Sequence, residues 1–216
     1  MGKARIAFRF GHYGDCFHGS QVQPDVPTVQ GTFMHIFKKK LKWTQERMPV
    51  AFSSRTDSGV HVRLNGGFID LEQERWDAMG EAGFIKAVGH QIPESISLVD
   101  ARQVADDWSP RRALYRTYRY RMECMEGWVE PELEDFTQLC SLFKGEHDWS
   151  NFCRREPGRT TTRVVEECKP WVNDGRIIGF EIVGEAFVWN QVRRIANAML
   201  AVITGYRTTE RVIEAR

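Results

Sequence analysis

No apolar run in this chain approaches the roughly 20 residues that a helix needs to cross a bilayer. The opening Met1-Gly2-Lys3-Ala4-Arg5 leads into a strand pattern and not into a signal peptide. The expectation is an intracellular, cytoplasmic protein with no membrane partner. Cysteine is sparse and scattered: Cys16, Cys124, Cys140, Cys153 and Cys168 are odd in number and contain no C-x-x-C pair. That argues against both a disulfide framework and a zinc ribbon. Cys16 and His18 lie near His12, but the spacing matches no familiar metal site, so no metal ligands are assigned. Low-complexity segments and sequence repeats are also missing. One-sided charge is missing too, because 30 Lys and Arg against 29 Asp and Glu leave a formal net charge of +1. Bulk electrostatics therefore do not announce a nucleic-acid binder.

What is present suits a globular protein: 216 residues, 42% hydrophobic and 27% charged, enough for one substantial domain or two small ones. The charge is uneven along the chain. Residues Ser109 to Met122 hold five arginines and no acid, Glu123 to Asp135 is rich in Glu, and Asn151 to Arg163 holds four arginines against one Glu. Basic stripes balanced by acidic faces fit an RNA-binding groove on a neutral protein, and they fit solvated arginine faces equally well.

Ile6, Phe8 and Phe10 alternate and predict a strand. Thr28 is placed to cap a helix in which Val29, Phe33, Ile36 or Phe37, and Leu41 recur at helical spacing. Val50 to Phe52 and Arg63 to Leu71 read as strands, the second interrupted by Gly66-Gly67 as a bulge or a close backbone approach. Arg75 to Val88 reads as a helix weakened by Gly80 and Gly83, and a strand follows through Val104. This order, strand-helix-strand-strand-helix-strand, is ferredoxin-like. A second unit of similar order follows. Its strand Tyr115 to Met122 places Tyr118, Tyr120 and Met122 on one face, and its first helix spans Glu132 to Phe143. Strands at Thr160 to Trp171 and Arg176 to Val183 flank the hairpin turn Asn173-Asp174-Gly175, and a last helix spans about Phe187 to Ile203. Gly145 to Phe152, with His147-Asp148, reads as a helix-to-strand connector.

The stretch around which the chain is organised is Ser53-Ser54-Arg55-Thr56-Asp57-Ser58-Gly59-Val60-His61, between two strands. It is a turn carrying a carboxylate, Asp57, two residues after a guanidinium, Arg55. Such a loop on a rigid sheet is a common seat of chemistry, and Asp and Ser beside Gly also serve simply to bond their own backbone.

Arg55 to His61 resembles the R-T-D-[AS]-G-V-H signature of the tRNA pseudouridine synthase A family. Further segments are similar to that family as well. Phe17 to Pro24 resembles [FY]-x-G-W-Q-x-Q, Thr28-Val29-Gln30 its T-V-Q, and Arg116 to Tyr120 its R-x-Y-x-Y strand. Gly145 to Phe152 resembles G-x-H-D-F-x-x-F, and Ala186 to Arg193 resembles A-F-L-x-x-M-V-R.

The resemblance implies an α/β (α+β) fold of two ferredoxin-like, RRM-like halves with joined antiparallel sheets and a central active-site cleft. The halves would be residues 1–106, carrying the Asp57 loop, and 107–216, carrying the tyrosine strand and the arginine helix. It implies Asp57 as the catalytic group, kept charged in a water-poor cleft by Arg193, and Arg55 on RNA phosphate or the flipped-out base. Tyr118 would lie over the uracil, with Arg111, Arg112, Arg154 and Arg155 on the RNA backbone. Tyr118 as a core tyrosine and Arg193 as a partly buried or surface charge are the plain alternatives. The implied partner is tRNA, modified in or near the anticodon stem-loop. The implied assembly is a homodimer, and no cofactor is expected, since the isomerisation needs neither redox equivalents nor energy input.

The sequence departs from the family at Ser20, which replaces an aromatic residue, and at Gln191, which replaces Met, so altered substrate contacts are expected there. Ser54 and Ser58 replace small residues. The chain also ends at Arg216, before the final strand of family members, which leaves a shortened member, a fragment or a chain completed by a partner. A non-catalytic RNA-binding or RNA-folding protein on the same scaffold is the rival reading. A carboxylate-dependent glycosidase is the other, but it normally needs two paired carboxylates, and one stands out here.

Overall fold

Side-chain alternation produces the first strand: in the computed structural model, which describes residues 2–155 and 157–215, Ile6, Phe8 and Phe10 are buried on β1 (Lys3–His12). The chain divides into two units, Met1–Ala113 and Leu114–Arg216. Residues 107–113 go with the first unit, where the Arg5 guanidinium donates to the Trp108 carbonyl at 3.1 Å while also pairing with Asp70 at 2.8 Å.

The first unit continues with α1 (Val29–His35), β2 (Ala51–Phe52), β3 (Val62–Glu72), α2 (Gln73–Gly89) and β4 (Ile96–Val104). Its four strands pair antiparallel in the order β2-β3-β1-β4, which with the element order is the ferredoxin-like arrangement. The rings of Phe8, Phe10, Phe33, Phe37 and Phe84 fill the core under the helices, at centroid spacings such as 5.2 Å for Phe8–Phe33 and 5.0 Å for Phe10–Phe33. Burying aromatic surface of this kind is the main favourable term for such a sheet–helix layer. Thr28 caps α1 as expected, its hydroxyl accepting from the Gly31 N–H at 3.2 Å. The helix then widens into a π turn, Ile36–Lys40, which brings Trp43 onto Phe37 at 5.8 Å.

Gly66 and Gly67 make no bulge. They pair regularly with Arg9 and Phe8, and the register shift between β1 and β3 falls at Phe10/His12. The close-approach alternative holds instead, since a Cβ on Gly67 would meet Phe8 at 2.9 Å and Phe52 at 3.0 Å. In α2 the helical path breaks at Gly80, whose φ is 57°.

The second unit runs β5 (Arg116–Arg121), α3 (Leu133–Ser141), β6 (Gly145–Asp148), β7 (Thr162–Asn173), β8 (Arg176–Gly184), α4 (Gln191–Ile203) and α5 (Thr209–Glu214). Its antiparallel sheet has the order β5-β8-β7-β6, so β5, β8 and β7 neighbour one another as β1, β3 and β2 do. The fourth strand differs between the sheets. It is β6, outside β7, where the first sheet has β4 beside β1. The connector expected at Gly145 to Asp148 is thus a short strand, missed because its four residues include no aliphatic or aromatic side chain. The last helix starts four residues later than expected. Asn190 sits in the left-handed region with φ of 66°, which ends the preceding segment as a turn closed by Gln191 N–H to the Val188 carbonyl at 3.0 Å. From Gln191 on, Ile195 and Met199 face the core, as expected from the apolar spacing Val188, Val192, Ile195, Met199 and Val202, and Ala196 of the flanking row is buried with them. No described helix is long and apolar enough to cross a membrane.

Strand β8 meets its neighbours too closely for a side chain at Gly179. A Cβ on Gly179 would overlap the Tyr120 carbonyl oxygen and approach the Met122 nitrogen at 2.8 Å. Gly179→Ala is expected to force β5 away from β8 and to destabilise the protein by about 3 kcal/mol, read as a lower urea midpoint. An unchanged midpoint would show that the strand pair yields without cost.

Candidate active site

The loop between β2 and β3 carries the expected carboxylate, and its shape is set by hydrogen bonds from two buried polar residues. Ser20, only 1% exposed, accepts the Thr56 N–H on its hydroxyl at 2.8 Å, and its own N–H donates to the Thr56 carbonyl at 2.9 Å. Asn65, 4% exposed on β3, grips the other end of the loop. Its carbonyl oxygen accepts from the Ser53 hydroxyl at 2.6 Å and the Ser54 N–H at 3.3 Å, while its amide donates to the Ser54 carbonyl at 3.1 Å. The Ser58 hydroxyl reaches the Phe17 carbonyl at 3.4 Å. Val60 N–H closes the turn onto the Asp57 carbonyl at 3.3 Å, with Gly59 at φ of 78°. The segment preceding α1 packs so closely that a Cβ on Gly19, itself at φ of +92°, would meet the Thr56 carbonyl oxygen at 2.9 Å.

Asp57 and Arg55 are both exposed at the top of this clamp. The water-poor setting expected for the carboxylate is therefore not seen in the protein alone. Arg111 and Arg112 form a 3-10 turn, Pro110–Arg112, capped by Ser109 and packed against β2 and β3, the strands that hold the Asp57 loop. Arg112 also stands 3.6 Å from Asp107. Asp57, Arg55, Arg111 and Arg112 thus belong to one unit, and Tyr118 and Arg193 to the other.

Tyr118 lies half-buried on β5, opposite Ile182 of β8, with its ring edge-on to Phe187 at 5.2 Å. Arg193 is in the first turn of α4 and is exposed, so the partial burial suggested by its neighbours Trp189, Ala196 and Leu200 does not occur. Of the remaining arginines in the 109–122 stripe, Arg119 bonds Glu181 at 2.8 Å and Arg121 bonds Glu123 at 2.9 Å, both beside Trp171. Those two are committed to sheet-face ion pairs. His147 and Asp148 play structural parts: the His147 ring bonds the Lys144 carbonyl at 2.9 Å, and Asp148 caps the 3-10 turn Trp149–Phe152.

Both departures from the family motif turn out to be internal. Ser20 holds the loop from beneath, and Gln191, 1% exposed, accepts the Val188 N–H at 2.9 Å and fixes the turn before α4. Neither is exposed for the altered substrate contact expected of it. Asn65 was missed altogether. A signal existed, since Asn65 shares the inward-facing parity of Ile69 and Leu71, and an amide at such a position requires partners.

With this geometry in view, comparison with known proteins identifies the class. Residues 139–216 match the family model described as tRNA pseudouridine synthase. A tRNA pseudouridine synthase A from Thermococcus gammatolerans is 32% identical over 198 residues, 90% of this chain and 70% of the relative. That from Archaeoglobus fulgidus is 31% identical over 207 residues, covering 95% and 72%, and that from Methanosarcina mazei is 29% identical over 212 residues, covering 97% and 75%. The chain belongs to the tRNA pseudouridine synthase A family.

Two outcomes follow from the clamp. Asn65→Ala leaves the Ser54 N–H and carbonyl without their partners, and is expected to cost about 2 kcal/mol in urea unfolding. If the Asp57 carboxylate is the catalytic group that the family resemblance implies, turnover should also fall about tenfold or more with RNA affinity intact, because a displaced group loses its approach geometry. Turnover equal to wild type would separate the clamp from catalysis.

His12 supplies the second. It is buried against Phe10 and Phe17, and its Nδ1 has no hydrogen-bond partner among the described residues. Burial disfavours its charged form, and His61 adds repulsion, so its pKa lies below the ordinary 6.5. Below about pH 6.5 the unfolded chain takes up a proton there that the folded protein resists, so this group lowers stability as pH falls. The urea midpoint of the wild type should drop between about pH 7 and about pH 5.5 by more than that of His12→Phe. Equal drops would remove His12 as the source.

Proposed function

We propose that this chain isomerises uridine to pseudouridine in or near the anticodon stem-loop of tRNA, with Asp57 as the catalytic carboxylate. The observation that carries the reading is the Arg55–His61 loop itself. Its family signature sits on a turn clamped by Ser20 and Asn65, with residue 57 presented outward where a nucleotide can reach it.

In the reaction the N1–C1′ bond breaks, the uracil turns, and C5 bonds to C1′. The C5 proton departs and N1 gains one, so the nucleotide keeps its composition. Asp57 acts either by adding to the nucleoside or by removing a proton from the ribose. A uridine in a stem-loop must leave the stack before either step, and the extruded nucleotide supplies the water exclusion that the exposed carboxylate lacks in the free protein. In this reading Arg193 pairs with Asp57, which suits an always-charged planar fork. Tyr118, held edge-on by Phe187, stacks on the uracil and assists loss of the C5 proton. Arg55 takes phosphate or the flipped base, while Arg111 and Arg112, beside the strands of the Asp57 loop, take backbone phosphates. Homodimer assembly and a cytoplasmic location rest on the family resemblance.

The test is tritium release from C5-labelled uridine in a tRNA transcript. Wild type should release tritium and Asp57→Asn should not, while both retain tRNA affinity. Binding without release by either protein would overturn the catalytic reading in favour of an RNA-binding role. Loss of affinity in Asp57→Asn would make the aspartate structural.

A further inference from the structure

Within the second unit, the segment between β6 and β7 and the turn leading into α4 form a crevice, of whose lining only Arg154 has been given a role above, on the RNA backbone. Arg154, Arg159 and Arg163 line it together with the Thr160 and Thr161 side chains and the indole of Trp189, and no acidic side chain lines it among the described residues. Phe187, whose ring supports Tyr118, lines it as well, so the crevice adjoins the tyrosine assigned to the uracil.

Three features make it more than a solvated arginine face. Trp189 is 42% exposed yet held in place: its carbonyl accepts the Arg154 N–H at 2.9 Å, and the Arg154 guanidinium lies over its ring at 4.3 Å. A large apolar ring fixed at an exposed position costs little further ordering when it stacks on a ligand. Arg163 donates to the Thr162 carbonyl at 2.6 Å, while its Nε is buried without a hydrogen-bond partner among the described residues. A phosphate oxygen is the acceptor that guanidinium geometry matches best. Trp189 also falls at an unspecified position of the A-F-L-x-x-M-V-R pattern.

We propose that this crevice is a second nucleotide subsite. It takes an unpaired RNA nucleotide flanking the target uridine, with the base stacked on Trp189 and the phosphate between Arg159 and Arg163. An unpaired nucleotide is required because a paired base has no free face to offer. The assignment to RNA rests on the pseudouridine synthase reading. The stacking and charge chemistry of the crevice do not.

The probe is a fluorescein-labelled oligouridylate of about five nucleotides, followed by anisotropy with the full chain, alongside tritium release from tRNA. Trp189→Ala is expected to weaken oligouridylate binding about tenfold and Trp189→Phe no more than about twofold. Arg159→Gln, at an exposed position, should weaken binding and reduce the salt dependence by about 0.7 in log–log slope. In tRNA turnover both Trp189→Ala and Arg159→Gln should raise KM and leave kcat unchanged. Oligouridylate binding that is wild-type in both variants overturns the subsite, as does a fall in kcat with KM unmoved. Trp189-dependent binding by a protein that releases no tritium would uphold the crevice as a nucleotide subsite while sinking the catalytic reading.

Discussion

The arrangement of the Asp57 loop depends on two buried polar side chains bonded to its backbone. Ser20 and Asn65 lie in or beside an aromatic core, where an unpaired hydroxyl or amide is expensive. Each offsets that cost by bonding the backbone that leads into Asp57, Ser20 at Thr56 and Asn65 at Ser54. The penalty for a misplaced loop is therefore paid inside the core, while the reactive carboxylate stands outside it. Such a division lets a side chain that must meet a ligand remain exposed without the loop beneath it wandering. Part of the same logic recurs before α4, where the oxygen of buried Gln191 accepts the Val188 N–H, although its amide nitrogen has no partner among the described residues.

Much of this fold was legible in the sequence because its strands obey simple alternation and its helices simple periodicity. Ile6, Phe8 and Phe10 named the core face of β1, and Ile195 and Met199 that of α4. The duplicated element order was visible as well. What escaped detection lacked an apolar pattern: β6 is Gly-Glu-His-Asp, and its strand character comes from pairing with β7 and not from propensity. The late start of α4 escaped for a related reason. Its apolar spacing continues through Phe187 and Val188, but Asn190 in the left-handed region breaks the backbone where the pattern does not.

The site was legible in a different way. Motif resemblance proposed Asp57, Tyr118 and Arg193, and no physical rule applied to a single sequence would have chosen them over other Asp, Tyr and Arg residues. Physics did better on the residues that the motif left unexplained. Ser20 and Gln191 read as losses of substrate contact when judged as departures from a pattern. Judged by burial and bonding, they are internal struts. A substitution in a binding motif need not alter the surface that meets the ligand.

Charge distribution sharpens the point about recognition. With a formal net charge of +1, the protein has little long-range field to draw in RNA, so affinity must come from short-range groups placed at the right spots. A count of arginines overstates those groups, since Arg119 and Arg121 are already paired with Glu181 and Glu123, and Arg5 and Arg9 with Asp70 and Asp100. Pairing on the sheet faces removes diffuse positive charge that would hold any RNA indiscriminately. It leaves discrimination to residues with geometric demands, such as a tyrosine held by its neighbour's ring edge and an indole pinned under a guanidinium. In the proposed reading, a protein built this way selects RNA by the shape of its unpaired bases.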